Sequence, residues 1–198
     1  MPFKQIKSNV KIKDSAFDLI YSDRIQAIAE QHFTPVNVSK IAARYLADKR
    51  GVKILDVGSG AGKFCMIGSA CTNGHFTGVE LRSSLSLTAQ LIAQQYNLTN
   101  VEFINSNITS ISFKEYEAFY FYNSFYENVK FVEKMDDEIE IKRELYDEYS
   151  LYVKNQLEKM PVGTKLATYY SFLKEIPDSY KVKYSAFGDK LKMWEKMC

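Results

Sequence analysis

The sequence has few of the residues that build disulfide frameworks or metal sites. Its 198 residues include three cysteines, Cys65, Cys71 and Cys198, and two histidines, His32 and His75. Because the cysteine number is odd and no C-x-x-C pair occurs, we expect reduced thiols in a reducing compartment. No group of histidines and cysteines has the spacing of metal ligands, so we predict no metal site. Both histidines are expected to be structural, since the sequence shows no partner that would orient either one as a base.

Long apolar runs and a strong excess of one charge are also missing. No stretch approaches the roughly 18 apolar residues of a membrane helix, and the first residues, MPFKQIKSNVKIK, lack the apolar core of a secretory signal. We therefore expect a cytoplasmic protein without a membrane partner. The net charge of +2 is too small to indicate nucleic-acid or membrane binding by bulk electrostatics. The lysines at positions 4, 7, 11 and 13 are expected to lie in a solvated basic terminus.

The sequence has neither internal repeats nor a linker rich in proline, glycine or serine. We therefore predict one domain over residues 1–198, with a helical segment at 1–50 and a sheet domain at 51–198. A chain of this length buries roughly 70% of its unfolded surface and needs no disulfide to complete its core. The oligomeric state stays open at this level.

Apolar spacing predicts helices over residues 14–31, 63–71, 84–97 and 137–160, and strands over 52–57, 75–80, 101–106, 116–123 and 164–172. A further helix follows Thr34, with Thr34 as its N-cap, Pro35 as its first residue and Gly51 closing it. Two last apolar runs flank Gly188-Asp189 and predict a closing antiparallel hairpin. Strands that alternate with helices predict an α/β fold with a doubly wound, mainly parallel sheet.

The run ILDVGSGAGKFC, residues 54–65, ends the first predicted strand with three glycines at alternate positions. In an open parallel sheet, ligands bind at the carboxyl ends of the strands. A phosphate-binding P-loop fits poorly, because Phe64 stands where the Mg²⁺-binding Ser or Thr belongs. A dinucleotide site also fits poorly, because Lys63 occupies the position of the third glycine. A nicotinamide-dependent oxidoreductase remains an alternative on that pattern.

The pattern that fits is G-x-G-x-G, formed by Gly58, Gly60 and Gly62. Glycines let the backbone approach a ligand closely and adopt positive φ. Asp56, just before the turn, can accept a hydrogen bond from an ammonium group. Glu80, at the end of the second strand, can bind both hydroxyls of a ribose. A positively charged nucleoside amino acid suits these anionic partners and the lack of a phosphate clamp.

These residues resemble the class I S-adenosylmethionine-dependent methyltransferases, over about residues 30–198. The resemblance rests on ILDVGSGAGKF, on GVE at 78–80 and on the asparagine after the third strand. It implies a Rossmann-like seven-stranded sheet, preceded by helices, whose last pair is antiparallel. It also implies S-adenosylmethionine as cofactor and S-adenosylhomocysteine as product.

The resemblance assigns roles to several residues of the predicted site. Gly58 and Gly60 would line the methionine portion of the cofactor, and Glu80 would bind its ribose. Asn107 would contact the adenine, at a position where many members carry Asp. The other cofactor-binding residues implied are Asp56, Ser59, Gly62, Leu81 and Ile108.

Two further stretches resemble the amino-methyltransferase branch of this family. HFTPVNV, residues 32–38, is similar to a Phe-Thr-Pro segment that precedes the first strand. Thr34 and Pro35 are therefore expected to contact the methionine part of the cofactor. NSFY, residues 123–126, stands where the branch carries Asn-Pro-Pro-Tyr.

In that turn, Asn123 would accept a hydrogen bond from an amine or amide target. Tyr126 or Phe125 would stack against the same target. Ser124 and Phe125 replace the two prolines, which stiffen the turn in the branch. The catalytic residues implied by the resemblance are Asn123 and Tyr126.

The acceptor of the methyl group is not identified by the sequence. We expect a protein or a small-molecule amine, with RNA as a third class, and a substrate lid over residues 124–137. The acidic run at 136–138 is expected to support the N-terminus of the long helix through its dipole. The alternative function is a non-catalytic member of the fold that binds the cofactor or a partner protein, which the altered NSFY turn favours.

Overall fold

The computed structural model describes residues 1–128, 138–171 and 173–198. The helices of this part of the chain are α1 (Pro2–Lys7), α2 (Asp14–Phe17), α3 (Asp23–His32), α4 (Val36–Leu46), α5 (Lys63–Cys71), α6 (Ser83–Gln95) and α7 (Arg143–Glu158). The strands are β1 (Lys53–Val57), β2 (His75–Glu80), β3 (Val101–Asn105), β4 (Ala118–Phe121), β5 (Lys165–Tyr169), β6 (Tyr180–Ala186) and β7 (Leu191–Lys196).

The seven strands form one sheet in the order β3-β2-β1-β4-β5-β7-β6. Strands β1 to β5 pair in parallel, and β7 runs antiparallel between β5 and β6. This confirms the predicted α/β fold: a doubly wound, Rossmann-like sheet that is mainly parallel and ends in an antiparallel hairpin. The strand order reverses between β1 and β4, so a crevice opens at the carboxyl ends of these two strands.

The sheet is covered on both faces by apolar clusters. One cluster contains buried residues of α4, α5 and α6, and the other contains buried residues of α7. Strand β4 is buried at all four positions, as a strand covered on both faces must be. Strands β1 to β5 lie inside their predicted ranges, and α5 and β2 have the predicted bounds.

The N-terminal segment is packed where a solvated terminus was predicted. Helix α1 buries Phe3 and Ile6, and the Phe3 ring meets the Phe17 ring edge-on at 5.5 Å. Lys4 and Lys7 are exposed, as expected. Phe3 and Ile6 are buried in the same segment, because they lie about one helical turn apart and share a face of α1.

The predicted helix over residues 14–31 is interrupted. Helix α2 is followed by a 3-10 turn at Asp18–Ile20, and Tyr21 and Ser22 are extended before α3 begins. The break lets Tyr21 turn inward, where its side chain is buried. Apolar spacing alone does not mark this break, since both parts keep a helical pattern.

The caps of α4 differ from the prediction. The N-cap is Pro35 rather than Thr34, and the backbone N–H of Val36 donates to Oδ1 of Asp14 at 2.8 Å. Asp14 thus satisfies a donor at the helix start, which is the role predicted for Thr34. The helix ends at Leu46, so Gly51 does not close it.

Helix α7 starts at Arg143, later than predicted, and Glu138 does not support it. The Glu138 carboxylate accepts hydrogen bonds from the backbone N–H of Ser83 and Ser84 and from Oγ of Ser83 at 2.6 Å. These hydrogen bonds lower the pKa of Glu138 to about 2. Glu138 therefore caps α6, and positions 136 and 137 of the acidic run lie outside the described residues. No helix in the described part of the chain is long and apolar enough to cross a membrane.

Candidate active site

The glycine-rich turn follows β1 and is fixed to the next strand. The backbone N–H groups of Gly58 and Ser59 both donate to the Val79 carbonyl at 2.9 Å. Gly58, Gly60 and Gly62 have φ values of +74°, +55° and +80°. Because side chains disfavour this left-handed region, the turn requires glycine at all three positions.

Protein neighbours also occupy the space beside two of these glycines. A Cβ at Gly58 would lie 2.4 Å from Cβ of Ser124, and a Cβ at Gly60 would lie 3.2 Å from the Phe33 ring. Gly58 and Gly60 nevertheless present their backbone to a cavity. The glycines therefore allow close packing against Ser124 and Phe33, while the backbone of Gly58 and Gly60 still borders the cavity.

Gly62 and Ser59 serve the packing between turn and sheet. Gly62 is the N-cap of α5, and a Cβ there would lie 2.4 Å from the Phe103 ring. The side chain of Ser59 packs over Gly78, where an added Cβ would be 2.6 Å from the Ser59 Oγ. Both residues lie behind the cavity wall, so their predicted contact with a cofactor stays a prediction.

A cavity of about 850 Å³ opens at the carboxyl ends of the parallel strands. Its wall comes from the turns after β1 to β5, the β6–β7 hairpin and the end of α3. Most predicted site residues line it: Pro35, Gly58, Gly60, Glu80, Leu81, Asn107, Ile108, Asn123 and Tyr126. The predicted residues that lie behind the lining are Thr34, Asp56, Ser59 and Gly62.

Glu80 ends β2 with its carboxylate at the cavity wall. One oxygen accepts a hydrogen bond from the Gly60 N–H and the other from the Arg82 N–H, each at 2.9 Å. The residue is 7% exposed, and burial raises the pKa of its carboxyl group. Since each carboxylate oxygen can accept two hydrogen bonds, one position on each remains for a pair of ligand hydroxyls.

Asp56 is buried beneath the glycine turn. Its Oδ2 accepts a hydrogen bond from the Cys65 thiol at 3.4 Å, and burial raises the pKa of Asp56 to about 7. Cys65 is a buried free thiol, as predicted. The contact of Asp56 with a ligand ammonium group stays a prediction.

The HFTP segment lies against the glycine turn. The Phe33 ring meets the Tyr21 ring edge-on at 5.6 Å, and the Tyr21 hydroxyl donates to the Ala61 carbonyl at 3.2 Å. Thr34 turns inward, where its Oγ1 shares a hydrogen bond of 2.9 Å with the hydroxyl of Tyr120. The segment thereby closes one side of the cavity, with Phe33 in the wall.

Asn107 lines the cavity, but its side chain is largely engaged within the protein. Its Oδ1 accepts hydrogen bonds from the N–H and Oγ1 of Thr109, each at 3.0 Å, and its Nδ2 donates to the Tyr149 hydroxyl at 3.0 Å. One amide hydrogen is left over for a ligand. If Asn107 contacts an adenine, only this amide hydrogen is available for a hydrogen bond. The contact stays a prediction.

Asn123 opens the NSFY turn with a φ of +42°, a conformation that asparagine tolerates better than most residues. Its carbonyl accepts a hydrogen bond from the Tyr126 N–H at 3.0 Å. Its side-chain amide makes no hydrogen bond within the part of the chain that the structure describes. The Ser124 hydroxyl donates to the Val57 carbonyl, which joins this turn to the glycine turn.

The two aromatic residues of NSFY lie in different surroundings. Phe125 is buried, with its ring 5.2 Å from that of Phe121 and 5.3 Å from that of Tyr149. Phe125 belongs to the core and also lines the cavity, so its stacking against a substrate stays a prediction. Tyr126 is half-buried and lines the cavity, so its stacking role stays a prediction.

Three tyrosines form an aromatic wall at the ends of β4 and β5. The Tyr122 ring lies 5.0 Å from Tyr169 and 6.3 Å from Tyr170. Nζ of Lys190 lies 5.0 Å from the centre of the Tyr170 ring. The cavity thus has a carboxylate half beside Glu80 and an aromatic half beside this tyrosine wall (Tyr122, Tyr169 and Tyr170).

His32, Glu127 and Arg82 meet at the cavity wall. Nδ1 of His32 lies 3.8 Å from Oε1 of Glu127, and the Arg82 guanidinium pairs with Oε2 of Glu127. Burial lowers the pKa of His32, although Glu127 raises it. The sequence does not reveal this cluster, because its members follow different elements and only the fold brings them together. His75, by contrast, is exposed.

Lys63, which occupies the third-glycine position of a dinucleotide motif, turns away from the cavity. Its buried ammonium group pairs with Oδ1 of Asp14 at 2.8 Å and Oδ1 of Asp18 at 2.7 Å. The lysine therefore neutralises two carboxylates of the N-terminal segment. It is not placed to bind a ligand phosphate.

Comparisons with known proteins agree with this geometry. Residues 48–135 match the family model of a methyltransferase domain, while the search of curated proteins finds no match. An RNA methyltransferase from Salinibacter ruber in complex with S-adenosyl-L-homocysteine is 18% identical, with a TM-score of 0.58 over 83% of this chain and 93% of that chain. A methyltransferase from Geobacter sulfurreducens is 8% identical, with a TM-score of 0.63 over 91% of this chain and 90% of that chain.

The cyclase SpnF is a third structural neighbour. It is 18% identical, with a TM-score of 0.52, and the match covers 67% of this chain but only 43% of that chain. The matched model covers less than half of the chain and supports a methyltransferase domain over residues 48–135, and these structural neighbours share its Rossmann-like fold. The amino-methyltransferase branch stays a prediction. Much of the predicted lid lies outside the described residues, which end at 128 and resume at 138.

Proposed function

We propose that this protein transfers the methyl group of S-adenosylmethionine to an amine or amide nitrogen held at Asn123. The observation that carries the proposal is that Asn123, whose side-chain amide makes no hydrogen bond to the described residues, lines the same cavity as Glu80. The Ser124 hydroxyl donates to the Val57 carbonyl and so joins the NSFY turn to the glycine turn. This hydrogen bond holds the proposed acceptor side of the cavity next to the proposed cofactor side.

The residues present fit the cofactor. The Glu80 carboxylate, already held by two backbone N–H groups, has two acceptor positions for the ribose hydroxyls. The backbone of Gly58 and Gly60 borders the place of the methionine portion, and Leu81 and Ile108 offer apolar surface to the adenine. When bound, S-adenosylmethionine supplies an electrophilic methyl group and leaves as a neutral thioether.

On the acceptor side, Oδ1 of Asn123 would accept a hydrogen bond from the target N–H. This contact directs the nitrogen lone pair toward the methyl group, and such orientation can supply much of the rate enhancement. The tyrosine wall offers an apolar surface with hydroxyl edges, which suits a planar amine or amide. The acceptor classes to test are proteins, small-molecule amines and RNA, the last of which is named for the Salinibacter neighbour.

The first test is calorimetric titration of the protein with S-adenosylhomocysteine, with NAD as a parallel control. We expect micromolar binding of S-adenosylhomocysteine only. Radiolabelled S-adenosylmethionine is then offered to the protein, RNA and small-molecule fractions of a cell extract. Binding without transfer to any fraction would support the non-catalytic alternative.

The second test is Asn123→Gly, which removes the amide and still accepts a positive φ. We expect methyl transfer to fall about 10- to 100-fold, as for one lost orienting hydrogen bond of about 1.4–2.8 kcal/mol. The dissociation constant for S-adenosylhomocysteine should stay within twofold. Asn73→Gly, at an exposed position away from the cavity, is the matched control. If the variant binds S-adenosylhomocysteine more weakly but transfers methyl groups at the wild-type rate with saturating S-adenosylmethionine, Asn123 belongs to the cofactor site.

A further inference from the structure

His32 and Glu127 form a titratable pair on the wall of the cavity that Asn123 also lines. Nδ1 of His32 lies 3.8 Å from Oε1 of Glu127, and their side chains are 16% and 13% exposed. The Tyr122 hydroxyl donates to the Gln31 carbonyl at 3.2 Å. This hydrogen bond joins the residue before His32 to the residue before Asn123, so the imidazole and the acceptor position share one part of the wall.

Only one of the two carboxylate oxygens of Glu127 has a hydrogen-bond partner among the described residues. Its Oε2 pairs with the Arg82 guanidinium. Its Oε1 is buried and accepts no hydrogen bond within the described residues. A buried acceptor without a donor is costly, and Nδ1 of His32 lies 3.8 Å from this oxygen. A short movement of either side chain would form the Nδ1–H to Oε1 hydrogen bond, which leaves Nε2 without a hydrogen.

We propose that His32 is the general base of methyl transfer, with Glu127 as its positioning residue. The inference rests on the proposed function. As the acceptor nitrogen forms its bond to the methyl carbon, the carbon–sulfur bond breaks and its electron pair goes to sulfur. The proton of the acceptor nitrogen passes to Nε2 of His32. The resulting imidazolium is paired with Glu127, and it returns its proton to water before the next turnover.

The surroundings of His32 favour the neutral imidazole that a base requires. Burial lowers the pKa of His32, Glu127 raises it and Arg82 lowers it. These two residues are the charged groups that act on it from other elements, and Glu30 on its own helix also lines the cavity. A neutral imidazole can accept the proton of an amide or aromatic amine, whose N–H becomes acidic only as the new bond forms. The rate of methyl transfer should therefore fall as the pH drops through the His32 pKa.

NMR titration of the imidazoles tests the pair without an acceptor. The chain has two histidines, and the exposed His75 serves as an internal control. In the wild type, ¹⁵N shifts of His32 should report the Nδ1–H tautomer. Glu127→Gln should lower the pKa of His32 and leave His75 unchanged. An Nε2–H tautomer, or the same His32 titration in both proteins, would overturn the proposal.

Activity variants test the base itself. With radiolabelled S-adenosylmethionine and the fraction that the wild type methylates, His32→Gln should lower the rate about 100-fold or more. Binding of S-adenosylhomocysteine should stay within twofold. Glu127→Gln should lower the rate less and move the acidic limb of the pH profile, while His75→Gln should change neither.

The outcomes separate the two proposals. If the wild type transfers methyl groups and His32→Gln does so at the wild-type rate, the base assignment is wrong and the proposed function stands. If the wild type binds S-adenosylhomocysteine and methylates no fraction, the proposed function fails and the base assignment fails with it, even where NMR shows the His32–Glu127 pair.

Discussion

Replacing Glu80 by alanine is expected to weaken the binding of S-adenosylhomocysteine by about 2–3 kcal/mol. The carboxylate has one acceptor position left on each oxygen, because the Gly60 and Arg82 N–H groups occupy the others. Each hydrogen bond from a ribose hydroxyl to a charged acceptor contributes about 1.5–3 kcal/mol. The expected loss is smaller than the sum of two such hydrogen bonds, because water can enter the space beside the alanine and bind the ribose hydroxyls. The change corresponds to a roughly 30- to 140-fold increase in the dissociation constant.

Calorimetry with S-adenosylhomocysteine measures this change directly. Glu102→Ala is the matched control, since Glu102 is an exposed carboxylate on the neighbouring strand β3. Thermal unfolding of both variants checks that the Glu80 variant keeps its fold, because alanine also leaves the Gly60 and Arg82 N–H groups without their acceptor. A folded Glu80→Ala protein with the wild-type dissociation constant would refute the assignment of Glu80 to the ribose.

Two further predictions concern stability. Asp56 has its pKa raised to about 7 from 3.8, so the stabilisation from its protonation is present below pH 3.8 and lost as the pH rises through 7. At about 1.36 kcal/mol for each pKa unit, the deprotonation of Asp56 lowers the free energy of unfolding by up to about 4 kcal/mol. In urea unfolding, the free energy of unfolding should therefore fall less from pH 4 to 7 for Asp56→Asn than for the control Asp178→Asn. Lys63→Met should lower the free energy of unfolding by about 2–3 kcal/mol, because it leaves two carboxylates unpaired, one of them half-exposed. Lys49→Met, at an exposed position, should change it little, and equal unfolding of the two variants would contradict the pairing.

The sheet and its helices could be predicted from the sequence because each buried element carries its own local pattern. The apolar run of β1 and the glycines after it locate the turn without any knowledge of distant residues. The glycines also show the limit of such reasoning. Sequence reasoning assigns Gly58 and Gly60 to ligand approach, whereas the contacts of Ser124 and Phe33 with these positions depend on the fold.

Contacts between distant segments account for the errors. Asp14 takes the role of helix cap predicted for Thr34, and Glu138 caps α6 rather than the long helix. In each case the sequence indicates that a polar or acidic residue caps a helix, but it does not indicate which helix that residue caps. The approach of Glu127 to His32 likewise depends on the fold, because the two residues lie far apart in the sequence.

The NSFY turn shows why a departure from the family pattern does not by itself argue against catalysis. Proline in this turn would restrict the backbone through its ring, and Ser124 has no such restriction. Its hydroxyl instead donates to the Val57 carbonyl, and its Cβ lies where a side chain at Gly58 would be. The turn is thus fixed to the glycine turn by a hydrogen bond and a close contact, and Asn123 keeps its left-handed conformation at the cavity. The fold itself does not fix the reaction, since SpnF, a cyclase, is a structural neighbour. The decision therefore lies with the acceptor side of the cavity, where loss of the Asn123 amide or of the His32 imidazole should lower turnover and leave cofactor binding intact.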